Sequence, residues 1–92
     1  MAVTVHLSGH LKAFSGGDVE IKLDRDYATV GDALDSLWDR KPALRDRVLT
    51  EQGEIRTHVN IFLGSSNVKR LDGLGTKLGS NEIHIFNAVS GG

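Results

Sequence analysis

The spacing of apolar residues changes twice along this chain, and this change restricts its fold more than any other feature. Near the N-terminus apolar residues occupy alternate positions, then they follow helical spacing, and then they alternate again. Alternation gives a strand with one apolar face, whereas helical spacing gives a helix with one apolar stripe. A sheet with one helix packed on one face buries all of these surfaces together. The pattern therefore predicts an α+β fold.

Two strands are predicted before the helix. The residues expected to point inward are Val3, Val5 and Leu7 in the first strand and Val19, Ile21 and Leu23 in the second. The polar residues between them then point to the other face of the sheet. Ser15-Gly16-Gly17-Asp18 lies between the two strands and is typical of a turn. We therefore expect an antiparallel hairpin.

The segment 29–40 is predicted to form the main helix. Thr29 can cap its N-terminus, and Asp32 places a negative charge in its first turn. Pro42 ends this helix because its ring excludes the helical conformation at the preceding residue. A shorter helix is expected from about Pro42 to Leu49. The apolar stripe of the main helix consists of Val30, Ala33, Leu34, Leu37 and Trp38.

Alternation returns after a loop at 52–54 and predicts three more strands. The first has Val59, Ile61 and Leu63 on one face and His58, Asn60 and Phe62 on the other. A turn at 64–67 leads to a short strand at 68–70, and the glycine-rich segment 71–75 predicts a tight turn or a 3₁₀ turn. In the last strand Ile83 and Ile85 point inward, whereas His84 and Phe86 point outward.

Composition excludes several kinds of function. The 92 residues suffice for one small domain, and we expect a single domain over 1–92. A formal net charge of −1 does not indicate a partner among nucleic acids or membrane surfaces. The chain has no cysteine, so it cannot form a disulfide, a thiolate metal site or a persulfide of its own. With neither a signal-like leader nor a membrane-length apolar segment, a cytoplasmic location is expected.

The sequence ends in Gly91-Gly92, shortly after the last predicted strand. Glycine has no Cβ, so two glycines make the slimmest possible peptide arm, and we expect residues 88–92 to form a flexible tail. Such an arm can enter a narrow active-site channel and bring its carboxylate, ionised at neutral pH, against a nucleotide phosphate. An acyl-adenylate formed there can become a thiocarboxylate, which carries sulfur. The alternative is an inert terminal stub.

Three segments resemble the MoaD/ThiS family of ubiquitin-like sulfur carriers: Val59-Asn60-Ile61-Phe62, Asp72-Gly73-Leu74-Gly75-Thr76-Lys77-Leu78 and Asn87-Ala88-Val89-Ser90-Gly91-Gly92. The resemblance covers essentially the whole chain. It is closer to the longer MoaD-like members, including the carrier CysO that feeds cysteine synthesis, because they also have extra sequence after the main helix. It implies a β-grasp fold with a mixed sheet of four to five strands on one main helix. It also implies that Gly92, presented by Gly91, is adenylated and converted to a thiocarboxylate.

The resemblance implies a set of partners as well. An E1-like adenylyltransferase would use ATP and Mg²⁺ as its own substrates, and this chain would bind no cofactor and would not be an enzyme. A cysteine desulfurase or a rhodanese-like protein would donate sulfur. The acceptor would be a cysteine synthase or the large subunit of a molybdopterin synthase, of which a MoaD-like chain is the small subunit. Two alternatives remain open: a protein modifier joined through Gly92 to lysines, and a binding module with an inert tail.

The outward aromatic residues predict a partner surface. Phe62, His84 and Phe86 would lie on the open face of the sheet near the tail, and with Val89 they form the predicted partner-binding set. The alternatives are a loop folded over the two phenylalanines or a slip of the strand register at a bulge. The four histidines are interpreted as surface residues rather than metal ligands, because the chain has no cysteine and no evident supporting groups. These histidines are His6, His10, His58 and His84.

Overall fold

The computed structural model describes residues 2–87, which contain a five-stranded mixed sheet and two α-helices. The strands are β1 (Val3–Leu7), β2 (Glu20–Leu23), β3 (Val59–Leu63), β4 (Ser66–Asn67) and β5 (Glu82–Asn87). The helices are α1 (Val30–Arg40) and α2 (Pro42–Val48). Short 3₁₀ turns span Gly9–Phe14, Val68–Arg70 and Gly73–Gly75.

The order of the strands in the sheet is β2-β1-β5-β3-β4. The two hairpins, β1–β2 and β3–β4, are antiparallel, and β5 lies between them. It runs parallel to β1 and antiparallel to β3. The last strand of the chain therefore lies at the centre of the sheet and is hydrogen-bonded along both edges.

One face of the sheet packs against the helices and forms the hydrophobic core. The predicted inward positions of β1, β3 and β5 are buried, and so is the whole apolar stripe of α1. Leu44 and Val48 of α2 are fully buried in the same core. The opposite face, which we call the open face, carries the alternate residues of the strands, and none of these is buried in the described part of the chain.

The boundaries of α1 follow from its sequence. The Thr29 side chain accepts a hydrogen bond from the backbone N–H of Asp32 at 3.2 Å and so caps the helix. Pro42 occupies the first turn of α2, where its missing N–H is tolerated. Gly31 allows a close approach, since a Cβ there would lie 3.0 Å from the carbonyl oxygen of Leu74.

Two expectations about individual positions are wrong. Val19 is not buried in the core: it is 44% exposed and lies just before the first residue of β2, Glu20, although its carbonyl accepts a hydrogen bond from the Leu7 N–H at 2.8 Å. The short strand is not Val68–Arg70 but Ser66–Asn67, and the chain then turns into a 3₁₀ turn that buries Val68. The Asn67 side chain accepts a hydrogen bond from the Lys69 N–H and starts this turn.

The predicted fold class is confirmed. A mixed sheet of this order, packed on one main helix, is the β-grasp arrangement of ubiquitin-like proteins. Over residues 2–87, no helix has the length and apolar character needed to cross a membrane.

Candidate functional site

The residues nearest to the predicted tail belong to the central strand. β5 ends at Asn87, which pairs with Val59 of β3. The sheet thus fixes the position of Asn87, five residues before Gly92. Gly91, Gly92 and Val89 lie outside the described residues, so their predicted roles stay predictions.

The structure brings the other three predicted residues together on the open face. Phe62 of β3 lies directly opposite His84 of β5, and Phe86 lies opposite Asn60. The rings of Phe62 and Phe86 are stacked, with centroids 5.4 Å apart and an interplanar angle of 25°. Aromatic contacts of this kind add about 0.5–1.5 kcal/mol beyond burial alone.

The aromatic pair remains accessible to solvent. Phe86 is 37% exposed and Phe62 is half-buried. No described loop covers them, because the helices and the core lie on the other face. The alternation of β3 and β5 explains this placement: a central strand that buries Ile83 and Ile85 must project His84 and Phe86 to the opposite side. An exposed aromatic pair is a feature of protein interfaces.

One row of side chains crosses the open face from edge to edge. Pairing sets Glu20 opposite His6, His6 opposite His84, His84 opposite Phe62, and Phe62 opposite Asn67. The imidazole rings of His6 and His84 are stacked, with centroids 4.6 Å apart and an interplanar angle of 13°. His6 Nε2 lies 2.9 Å from a carboxylate oxygen of Glu82. Glu20, His6 and His84 therefore form a polar part of the row on β2, β1 and β5, and Phe62 of β3 lies next to it.

His6 and Glu82 are absent from the predicted site. The outward parity of His6 is visible in the sequence, but its contact with β5 depends on a parallel pairing between the first and the last strand. Periodicity gives the face on which a residue lies and not its neighbour across the sheet. His10 and His58, the other two histidines, are exposed and do not belong to this cluster.

Comparisons with known proteins agree with this architecture, although no model of a protein family matches the chain. Small archaeal modifier protein 1 of Haloferax volcanii is 43% identical over 74 residues, which are 80% of each chain. Small archaeal modifier protein 3 of the same organism is 40% identical over 68 residues, 73% of each chain. These alignments are long enough and similar enough to indicate common descent.

Solved structures share the fold. The crystal structure of small archaeal modifier protein 1 from Haloferax volcanii superposes with a TM-score of 0.82 and 33% identity, and the match covers 100% of both chains. A chain in the Amycolatopsis orientalis BexX/CysO complex gives a TM-score of 0.84 over 98% of this chain and 99% of that chain; at 24% identity it supports the fold alone. The chain belongs to the small archaeal modifier proteins, a group of ubiquitin-like proteins of the MoaD/ThiS type.

Proposed function

We propose that this chain is a cytoplasmic, ubiquitin-like sulfur carrier whose working group is the carboxylate of Gly92. In this scheme an E1-like adenylyltransferase binds the open face, and the carboxylate attacks the α-phosphorus of ATP. Pyrophosphate leaves and an acyl-adenylate remains. The outer sulfur of a persulfide on a desulfurase or a rhodanese-like donor then displaces AMP and forms an acyl disulfide. A thiol attacks the donor's sulfur in this bond, so that a disulfide leaves and a thiocarboxylate remains for an acceptor synthase, of the molybdopterin or the cysteine type.

The observation that supports this proposal best is the position of the last strand. β5 is paired with β1 up to Ile85 and with β3 up to Asn87, so the point from which the final segment starts is fixed relative to the open face. Five further residues span at most about 18 Å when fully extended. A partner that docks on Phe62 and Phe86 could therefore hold its ATP site within reach of Gly92. Activation by a second protein requires that the carboxylate be held close to the bound ATP. A docking surface at a fixed position relative to Asn87 meets this requirement.

The absence of side chains at positions 91 and 92 suits this chemistry. Two glycines can pass through a narrow channel, and any larger side chain would widen the required passage. The activating enzyme has to supply the cation and the hydrogen-bond donors that stabilise the transferring phosphate. The carrier itself contributes only the nucleophile and its orientation.

The proposal is tested by mass spectrometry of the intact protein. After incubation with a cognate E1-like enzyme, Mg-ATP, a sulfur donor and a thiol reductant, we expect a mass increase equal to the difference between sulfur and oxygen. A variant that lacks Gly92 should fold normally and show no increase. Ser90→Ala is the matched control, because it changes the tail but keeps both glycines, and it should still be modified. Equal modification of the truncated variant, or none of the intact chain, would contradict the proposal.

A second candidate function is that of a protein modifier. It is favoured by the identity of 40–43% to two proteins that are named modifiers. The activation step is the same, but the acyl group passes to a lysine amine and forms an isopeptide bond. Peptide mass spectrometry of proteins from the native host separates the two candidates: lysines that carry Gly92 support the modifier, and a thiocarboxylate without such lysines supports the carrier. If removal of Gly91 and Gly92 left every phenotype intact, the chain would be a simple binding module.

A further inference from the structure

The open face carries three potential metal ligands from two neighbouring strands. His6 lies on β1, whereas Glu82 and His84 lie on β5. Parallel pairing sets His6 directly opposite His84. Glu82 is two residues before His84, so both side chains project from the same face as His6. The sheet therefore holds two imidazoles and one carboxylate in a small triangle.

The distances within this triangle suit one ion. One ligand atom from each side chain lies within 4.8 Å of the other two, and His6 Nε2 is 2.9 Å from the Glu82 carboxylate. Zinc binds imidazole nitrogen at about 2.0–2.1 Å, so two ligand atoms on a tetrahedral ion lie roughly 3.4 Å apart. The two stacked rings have to tilt toward each other to aim their nitrogens at a shared ion. The side chains have room to move, since His6 is 30% exposed, Glu82 is 53% exposed and His84 is half-buried.

We propose that His6, Glu82 and His84 bind one Zn²⁺ ion on the open face. Two histidines and one carboxylate are the protein ligands of a known type of zinc site. In such a site the fourth coordination position is open to water or an external ligand. Co²⁺ and Ni²⁺ suit the same nitrogen-rich set, whereas Mg²⁺ and Ca²⁺ prefer oxygen ligands only. The site is independent of the chemistry of Gly92, because it consists entirely of side chains on β1 and β5.

Neighbouring groups favour a cation at this position. Glu20 of β2 pairs opposite His6 and brings a second carboxylate to the next strand on the same face. Lys22, the positive side chain of β2, pairs opposite Thr4 and so lies in the row of Glu82, with Thr4 between them, and not in the row of the two histidines. A bound ion would replace the contact between His6 and Glu82 with two coordinate bonds. Because Phe62 pairs opposite His84, the open fourth position would lie beside the aromatic pair and could accept a donor atom from a docked partner.

Titration of the full chain, free of any histidine tag, with ZnCl₂ by isothermal calorimetry tests this site. We expect one Zn²⁺ per chain, and Co²⁺ should give the visible absorption of a tetrahedral site. His6→Gln and His84→Gln should each weaken Zn²⁺ binding by about tenfold or more, since each removes a ligand. His10→Gln is the matched control, because His10 is exposed and lies outside the cluster, and its affinity should equal that of the wild type.

A second measurement avoids any dependence on how the variants fold. In NMR spectra of the wild-type chain, Zn²⁺ should shift the imidazole resonances of His6 and His84 and leave those of His10 and His58 in place. The proposal is overturned if Zn²⁺ does not bind the wild type, if His84→Gln binds it as tightly as the wild type, or if all four histidines shift together.

Discussion

At the scale of single residues, burial rather than residue type decides how much a side chain contributes to stability. Leu37 is fully buried in the core between α1 and the sheet, whereas Leu71 is 52% exposed. Removal of a buried leucine side chain loses its transfer free energy and leaves a cavity, so Leu37→Ala should lower the free energy of unfolding by about 2–5 kcal/mol. Leu71→Ala is the matched control and should change it by no more than about 0.5 kcal/mol. Urea denaturation of both variants measures the difference, and similar losses would contradict this assignment of the core.

Residue positions could be predicted well where strands are fully paired. The outward direction of Phe62, His84 and Phe86 follows from the parity of β3 and β5, and the structure confirms it. Parity does not predict burial at Val19, at the end of the edge strand β2: its carbonyl still accepts a hydrogen bond from the Leu7 N–H, but its side chain is 44% exposed. Residue-scale prediction is therefore reliable within a ladder and weak at its ends.

At the scale of elements, α1 depends on its first turn as well as on its apolar stripe. The Thr29 hydroxyl accepts the N–H of Asp32, one of the four donors that a helix start leaves without a partner. Thr29→Ala should lower the free energy of unfolding by about 1 kcal/mol. Thr29→Ser keeps the hydroxyl and should stay close to the wild type. Thermal and urea unfolding can measure both, and equal stability of the alanine and serine variants would show that the cap contributes nothing.

Most elements could be predicted from the sequence, but their pairing could not. Alternation and helical spacing predict four strands and two helices within a residue or two of their observed bounds. The remaining strand, β4, is misplaced, because three residues are too few to separate a strand from a 3₁₀ turn. The parallel contact of β1 with β5 joins segments more than seventy residues apart. No local pattern predicts it, so the cluster of His6, Glu82 and His84 could be found only from the structure.

At the scale of the whole molecule, the two faces of the sheet differ in what they expose. One face buries the core, and the other presents the aromatic pair of β3 and β5, the strand that ends at Asn87. Changes on the open face should therefore affect the binding of partners more than folding.

The Gly91-Gly92 ending and the MoaD/ThiS resemblance could be read from the sequence. Relatives of 40–43% identity confirm the family. They do not identify the acceptor of the activated carboxylate.

This difference between the two faces predicts the effect of changing the aromatic pair. Phe86→Ser and Phe62→Ser should raise the KM of the cognate E1-like enzyme for this chain by about tenfold or more. The reason is that an aromatic residue at the centre of an interface commonly contributes about 2 kcal/mol to the free energy of binding. Their circular dichroism spectra should remain those of the folded protein. Val19→Ser is the matched control, because Val19 is also an exposed apolar residue but lies next to β2, with β1 and β5 between it and β3. Pyrophosphate exchange measures KM for each variant. A KM that rises equally in the Val19 variant, or stays unchanged in both phenylalanine variants, would mean that the activating enzyme docks on another surface.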